Sequence, residues 1–241
     1  MENEIVNILC MKWGKKYTAN DVNILFSMVQ RNLSLPFRFV CFTDDKRGIR
    51  SEVECFDIPE IDIPEKKAVS PWKKLVMFKK DLYDLKGKAL FLDLDIVIMD
   101  KIDCFFDHSE KFTIIENWTQ KGEGIGNSSV YCFEIGKYSE VYEYYQNNFV
   151  EVTDQYRNEQ IYLSKKIGDI EFWPDSWCKS FKRHSIPPYL IRYFVQPKKP
   201  EGVKILVFHG NPKPEDAIKG GFYGNIFKYI KPCKWIEENW K

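Results

Sequence analysis

The chain has 241 residues, 36 Lys+Arg against 35 Asp+Glu, and a formal net charge of +1. With 44% hydrophobic and 16% aromatic residues it is too apolar to be a disordered chain, and with 13 Gly and 12 Pro it is no collagen-like or low-complexity polymer. Balanced charge also excludes the broad basic face of a dedicated DNA or RNA coat, so no nucleic-acid partner is expected.

The first apolar run, Ile5 to Met11, predicts a strand. Val22, Leu25, Phe26 and Val29 then recur at helical spacing, which predicts a helix over Asp21 to Asn32 capped by Asn20 or Asp21. Phe37 to Thr43 reads as a second strand, closed by Asp44-Asp45, and Val53 to Ile58 as a third. Ser70 followed by Pro71 reads as a cap and first helical position, opening a helix that Gly87 breaks. Lys88 to Leu92 is a continuous apolar strand running into Asp93. Strands are expected again at Phe112 to Ile115, Val130 to Ile135 and Lys204 to Phe208, and helices at Lys137 to Asn148 and Arg157 to Lys166. Pro174 to Pro200 reads as one long irregular loop.

Alternation of strands and helices through the first half predicts βαβ units and an α/β fold with a mostly parallel central sheet. One domain over 1–241 is expected. A nucleotide-binding half covers about 1–100, a mixed sugar and acceptor half about 101–215, and a C-terminal extension 216–241. Its size suffices for a core without disulfides or metal. Seven cysteines stand scattered, none in a C-x-x-C, which points to reduced thiols in a cytoplasmic protein. The N-terminal segment MENEIVNILCMKW carries early acids and no basic n-region, so it does not read as a signal peptide. Its longest apolar run is far short of the roughly 20 residues that cross a membrane.

The chemistry concentrates in Ala89-Leu90-Phe91-Leu92-Asp93-Leu94-Asp95-Ile96-Val97. An apolar strand delivers two carboxylates, i and i+2, at its C-terminal end, where open α/β sheets bind ligands. Asp93 and Asp95 can share one hard cation, for which carboxylate oxygens suit Mg2+ or Mn2+ better than zinc. Burying two such groups beside an apolar run is costly without a counter-ion.

This run resembles the D-x-D segment of GT-A-type glycosyltransferases, particularly the bacterial enzymes of glycosyltransferase family 8. Three other segments agree in order. Ser70-Pro71-Trp72-Lys73-Lys74-Leu75 leads into the D-x-D strand where the family has a basic residue near the donor. Gly126-Asn127-Ser128-Ser129-Val130 resembles the strand entry beside the donor sugar. Val207-Phe208-His209-Gly210-Asn211-Pro212-Lys213-Pro214 resembles the His-x-x-Gly-x-x-Lys-Pro segment. The likeness runs over about residues 4 to 215. The lysine stands four residues after the histidine, where the family usually has six, so the loop that would carry Lys213 to the phosphates is shorter.

The resemblance implies a nucleotide-sugar donor, a UDP-sugar, and a glycan or lipid-linked acceptor, with transfer under retention as one possible outcome. It implies Mn2+ or Mg2+ held by Asp93, Asp95 and His209, with Lys213 on the diphosphate and Gly210 allowing close backbone approach. Lys74, Asn127 and Ser128 fall beside the donor. Where the first strand ends, Met11 and Lys12 would present groups to the base and Tyr17 would stack on it, and Asp44 would read the base or ribose. At Arg157-Asn158-Glu159-Gln160 the family has an Asp-Gln pair facing the sugar. Here Glu159 replaces the Asp and Gln160 matches, and these two are the catalytic candidates.

Acceptor contacts are open to Trp118, Trp173, Trp177, Tyr189 and Tyr193, and to Lys179, Lys182 and Arg183. A site at the inner membrane face, with peripheral membrane contact, follows by analogy alone. Two other readings stand beside the transferase. In one, Asp93 and Asp95 are the nucleophile and acid–base of a haloacid-dehalogenase-type phosphatase, although that motif usually opens a chain and no Gly follows Asp95 here. In the other, the domain binds nucleotide-sugar without turnover.

Overall fold

A computed structural model describes residues 5–67, 71–225 and 227–241. In chain order it runs β1 (Val6–Lys12), α1 (Ala19–Asn32), β2 (Phe37–Thr43), β3 (Glu54–Phe56), a 3₁₀ helix (Pro71–Phe78), β4 (Lys88–Leu92) and β5 (Ile96–Ile98). There follow α2 (Cys104–Asp107), β6 (Thr113–Glu116), β7 (Gly126–Glu134), α3 (Ser139–Asn147), α4 (Phe149–Gln155) and α5 (Glu159–Ile167). The last part holds β8 (Glu171–Phe172), β9 (Cys178–Ser180), β10 (Ile205–Val207), α6 (Pro214–Lys219), β11 (Gly221–Phe222), β12 (Tyr229–Ile230) and α7 (Lys234–Glu237).

A seven-stranded sheet in the order β3-β2-β1-β4-β7-β6-β8 forms the centre. Its β1–β2, β1–β4, β2–β3 and β6–β8 pairings are parallel, while β7 runs antiparallel to β4 and β6. The expected α/β architecture with a mostly parallel sheet is what the chain adopts. Side chains alternate across the pleat. Ile8, Cys10, Leu90 and Leu92 pack into one buried cluster with α1, and Leu9, Met11, Ala89 and Phe91 into another with the 3₁₀ helix and α3. Both faces are covered, which explains why β1 and β4 read as unbroken apolar runs rather than alternating ones.

Several boundaries differ from the sequence expectation. Helix α1 starts two residues early, with Thr18 as its cap, because the Asp21 carboxylate accepts from the Thr18 backbone N–H (2.6 Å) and hydroxyl (2.8 Å). The expected cap at Ser70 lies outside the described residues. The helix after it is 3₁₀ and ends at Phe78, well before Gly87. Three residues per turn align Trp72, Leu75 and Phe78, all buried, and Lys74 is buried as well. This segment is a fully enclosed strut and not an amphipathic surface helix. Pro174 to Pro200 is not all loop, since Cys178–Ser180 pairs in parallel with Ile205–Val207. All seven cysteines are unpaired, five of them buried. Among the described residues no helix is long and apolar enough to cross a membrane.

Candidate active site

Three chain segments meet at the C-terminal edge of β1 and β4. The Asp93 backbone N–H donates to Ser129 O (2.9 Å), which fastens the start of β7 beside the D-x-D. After Asp95 the chain leaves the main sheet as β5, which pairs antiparallel with β10, Ile96 opposite Val207. One rung further, the Phe208 N–H donates to Asp95 O (2.8 Å). This ladder sets Phe208, distant in sequence, against the backbone of Asp95, and His209 follows it into the same cavity lining. Gly210 follows at φ +75°, a left-handed conformation that turns the backbone across the opening.

Here lies a cavity of about 500 Å³. Asp93, Asp95, Lys74, Glu159, Gln160 and His209 line it, together with Met11, Tyr17, Ser128 and Gly210. Thus most of the predicted site residues come together. Four do not. Lys12 forms the last rung of the β1–β2 ladder opposite Thr43, and its buried ammonium donates to Asp45 O (2.9 Å), so it holds a turn instead of facing the cavity. Asp44 accepts from the Gly14 N–H (2.8 Å), which ties down the 13–17 loop from behind. The Asn127 amide oxygen accepts from the Ser129 N–H (3.2 Å). Lys213 caps α6 and reaches Lys16 O (3.4 Å), with its ammonium 5.4 Å from the centre of the Tyr17 ring. Its shorter loop leaves it behind Tyr17 and outside the cavity lining.

Buried charge organises the cavity floor. The Lys74 ammonium bonds both carboxylate oxygens of Asp93, at 2.6 and 2.8 Å, and Ser128 O at 3.2 Å. Burial alone would lower its pKa, but Asp93 and Glu159 outweigh that and hold it up and charged. Glu159 is 2% exposed and accepts from the Ser128 hydroxyl (2.6 Å). Burial raises its pKa against the pull of Lys74. Asp95 is pushed up to about 6, first by burial and then by the charge of Asp93. The Tyr17 hydroxyl donates to it (2.6 Å) and the Lys16 ammonium stands 4.0 Å away. Tyr17 therefore presents its hydroxyl to the carboxylate pair rather than a free ring face to a base. Burial, then the nearby Lys182 and Arg183, lower the His209 pKa to about 4, so its imidazole is neutral. Its Nε2 is 2.7 Å from the Ser180 hydroxyl, and its ring stacks on Trp118.

Two carboxylates, one of them buried and reluctant to ionise, and a neutral imidazole form a donor set that fits a hard or borderline divalent cation. Among the described residues no three His, Cys, Asp or Glu side chains already converge as ligands. Asp93 and Asp95 are the pair that could hold such an ion, and His209 would have to exchange its Ser180 bond to join them.

Sequence reasoning missed Asn158, Lys16 and Ser180. Asn158 lines the cavity and caps α5, its amide oxygen accepting from the Ile161 N–H (3.1 Å), and its Asn-before-Glu context was a legible capping signal. Lys16 is a loop lysine like its neighbours. Ser180 reaches His209 only through the β9–β10 pairing, for which a three-residue strand gives no periodicity. Of the aromatics expected at the acceptor, Trp173 is buried core against Phe105, and Trp118 stacks on His209.

The mixed α/β architecture around this seven-stranded sheet matches the GT-A-like fold of solved glycosyltransferases. Solved structures with this fold include an active-site Gln-to-Glu mutant of LgtC, at TM-score 0.61 and 15% identity over 86% of this chain and 89% of that one. The galactosyltransferase LgtC in complex with donor and acceptor sugar analogues is similar at TM-score 0.59 and 14% identity, over 86% and 88% of the two chains. The glycosyltransferase GlyE of Streptococcus pneumoniae TIGR4 follows at TM-score 0.56 and 14% identity, over 87% of this chain and 56% of GlyE. No family model matches the sequence, and no curated protein matches it either.

Proposed function

We propose that this chain is a glycosyltransferase that moves a sugar from a UDP-sugar donor to a glycan or lipid-linked acceptor, with Mn2+ or Mg2+ held by Asp93, Asp95 and His209. The observation that carries the reading is the Asp93–Asp95 pair opening on a cavity shared with Lys74, Glu159, Gln160 and His209. That LgtC binds donor and acceptor sugar analogues on the same fold supports a nucleotide-sugar and a sugar acceptor here. The fold also favours this reading over the phosphatase one.

A bound divalent ion offsets the charge that develops on the departing diphosphate. The chain's own residues do the rest. Lys74 holds Asp93 in place from below. Lys15 and Lys16 line the opening and supply cations to the diphosphate. The Lys182 ammonium donates to His209 O (3.0 Å) and adds a cation beside the cavity lining. Glu159 is engaged by Ser128 and held near Lys74, so it acts by positioning. Gln160 is then the group at the sugar face, in keeping with the active-site glutamine altered in LgtC.

Incubating the protein with UDP-sugars and Mn2+ should release UDP slowly even without acceptor, and EDTA should abolish the release. Release that persists in EDTA would overturn the metal-assisted reading.

The affinity for Mn2+ should also depend on pH. Asp95 must lose its proton to ligate, and its pKa lies at about 6. Below that value each pH unit should weaken binding about tenfold, and above it binding should level off. His209, with its pKa near about 4, is neutral throughout and adds no step in that range. Calorimetric titrations between about pH 5 and 8 read this directly.

A further inference from the structure

Of the three candidate ion ligands, His209 alone has no lone pair to spare. Asp93 and Asp95 are bonded by Lys74 and Tyr17, but each carboxylate offers about four lone-pair sites and accepts these donors and an ion together. A neutral imidazole offers a single one. One hydrogen bond of the His209 ring goes to the residue's own carbonyl, which puts the ring proton on Nδ1 and the lone pair on Nε2. That Nε2 lies 2.7 Å from the Ser180 hydroxyl. Ser180 Oγ accepts from the Arg183 N–H (3.4 Å), so its own proton goes to Nε2.

Ser180 is held where it stands. It is fully buried, pairs with Val207 across β9 and β10, and has its backbone N and O both 3.0 Å from His184 Nδ1. Directly after it the chain forms a π turn, Phe181–Ser185, a rare element that recurs at functional sites. The His209 ring lies against Trp118, with 5.8 Å between ring centres and 22° between planes. Gly210, at φ +75°, follows the ring and lends residue 209 a hinge. Of the two partners, His209 is the one that can move.

We propose that Ser180 is a positioning residue that competes with the ion for His209 and thereby sets the preference between Mn2+ and Mg2+. Mg2+ takes oxygen ligands and keeps several waters, so Asp93 and Asp95 serve it without the imidazole. Mn2+ gains more from a nitrogen ligand, and it obtains that ligand only by exchanging the Ser180–His209 bond. Ser180 therefore weakens Mn2+ binding and leaves Mg2+ binding almost untouched. This role rests on the ion ligands of the transferase reading and on no sugar or transfer step.

The test is ion binding to the full chain at about pH 8, where Asp95 is ionised, without nucleotide or sugar. Free Mn2+ is counted by electron paramagnetic resonance, and Mg2+ is read by its competition against Mn2+. Ser180→Ala should bind Mn2+ about fivefold more tightly, the worth of one net hydrogen bond, and change Mg2+ by less than about twofold. His209→Ala should bind Mn2+ more weakly, and adding Ser180→Ala to it should change nothing further. A serine that only supported the fold would produce neither the split between ions nor the dependence on the imidazole. In the wild type, nitrogen NMR spectra of the three histidines, assigned with His209→Gln, should show the His209 proton on Nδ1. Unchanged or weaker Mn2+ binding in Ser180→Ala, an equal gain for Mg2+, or a proton on Nε2 would overturn the role of Ser180 and leave the ion ligands standing. No Mn2+ binding, or an affinity that His209→Ala leaves unchanged, would overturn the ligand set and the role of Ser180 with it.

Discussion

Replacing Lys74 with methionine should cost the fold about 3 to 5 kcal/mol, the range for breaking one partner out of a buried ion pair. The Lys74 side chain is 9% exposed, and its ammonium bonds both oxygens of Asp93 and lies close enough to Glu159 to steady its charge. Methionine keeps the length and apolar stem but leaves Asp93 and Glu159 facing each other without a cation. Urea denaturation of Lys74→Met reads the loss. Adding Asp93→Asn should recover a large part of it, because the remaining carboxylate then has no close like charge. A loss under about 1 kcal/mol for Lys74→Met would mean that solvent already satisfies these groups.

Asp95→Asn should have the opposite balance. Transfer or donor hydrolysis should fall by about a hundredfold or more, since an amide is a poor ligand for a hard cation. Stability at neutral pH should hold or rise. Asp95 has a folded pKa of about 6, above its ordinary value of 3.8. A raised carboxyl binds more protons folded than unfolded, so its ionisation opposes folding above about pH 6 and ceases to matter below about 4. The variant's gain in melting temperature should therefore be greatest near neutrality and vanish in acid. Tyr17 can still donate its hydroxyl to the asparagine oxygen, which keeps the loop in place. Full activity in Asp95→Asn would remove the carboxylate from the chemistry.

The inner strands of the central sheet were legible because they are buried on both faces. Phe37–Thr43 and Lys88–Leu92 fall where continuous β-rich apolar runs placed them, with Gly87 and Asp44-Asp45 as stops. The carboxylate pair was legible because it follows such a strand directly. What stayed hidden depends on contacts far apart in sequence. The β5–β10 ladder that sets Phe208 against Asp95 consists of three-residue strands, too short to show a period. Ser128 and Glu159 meet only because β7 and α5 pack together, and neither residue signals that locally. Lys74 could be read as basic and near the donor, but not as the buried partner of Asp93, since its segment is a 3₁₀ strut whose period is not that of a surface helix. The basic, aromatic C-terminal part was visible as composition, while its assembly into one exposed patch needed the Tyr189–Phe227 and Tyr193–Tyr229 contacts.

Calorimetric titration of UDP into the protein, with and without Mn2+, tests the carboxylate-held cation most directly. UDP should bind in the presence of Mn2+ and at least about tenfold more weakly without it, and Asp95→Asn should bind as weakly with the ion as without. UDP affinity that is the same in Mn2+ and in EDTA would contradict the account.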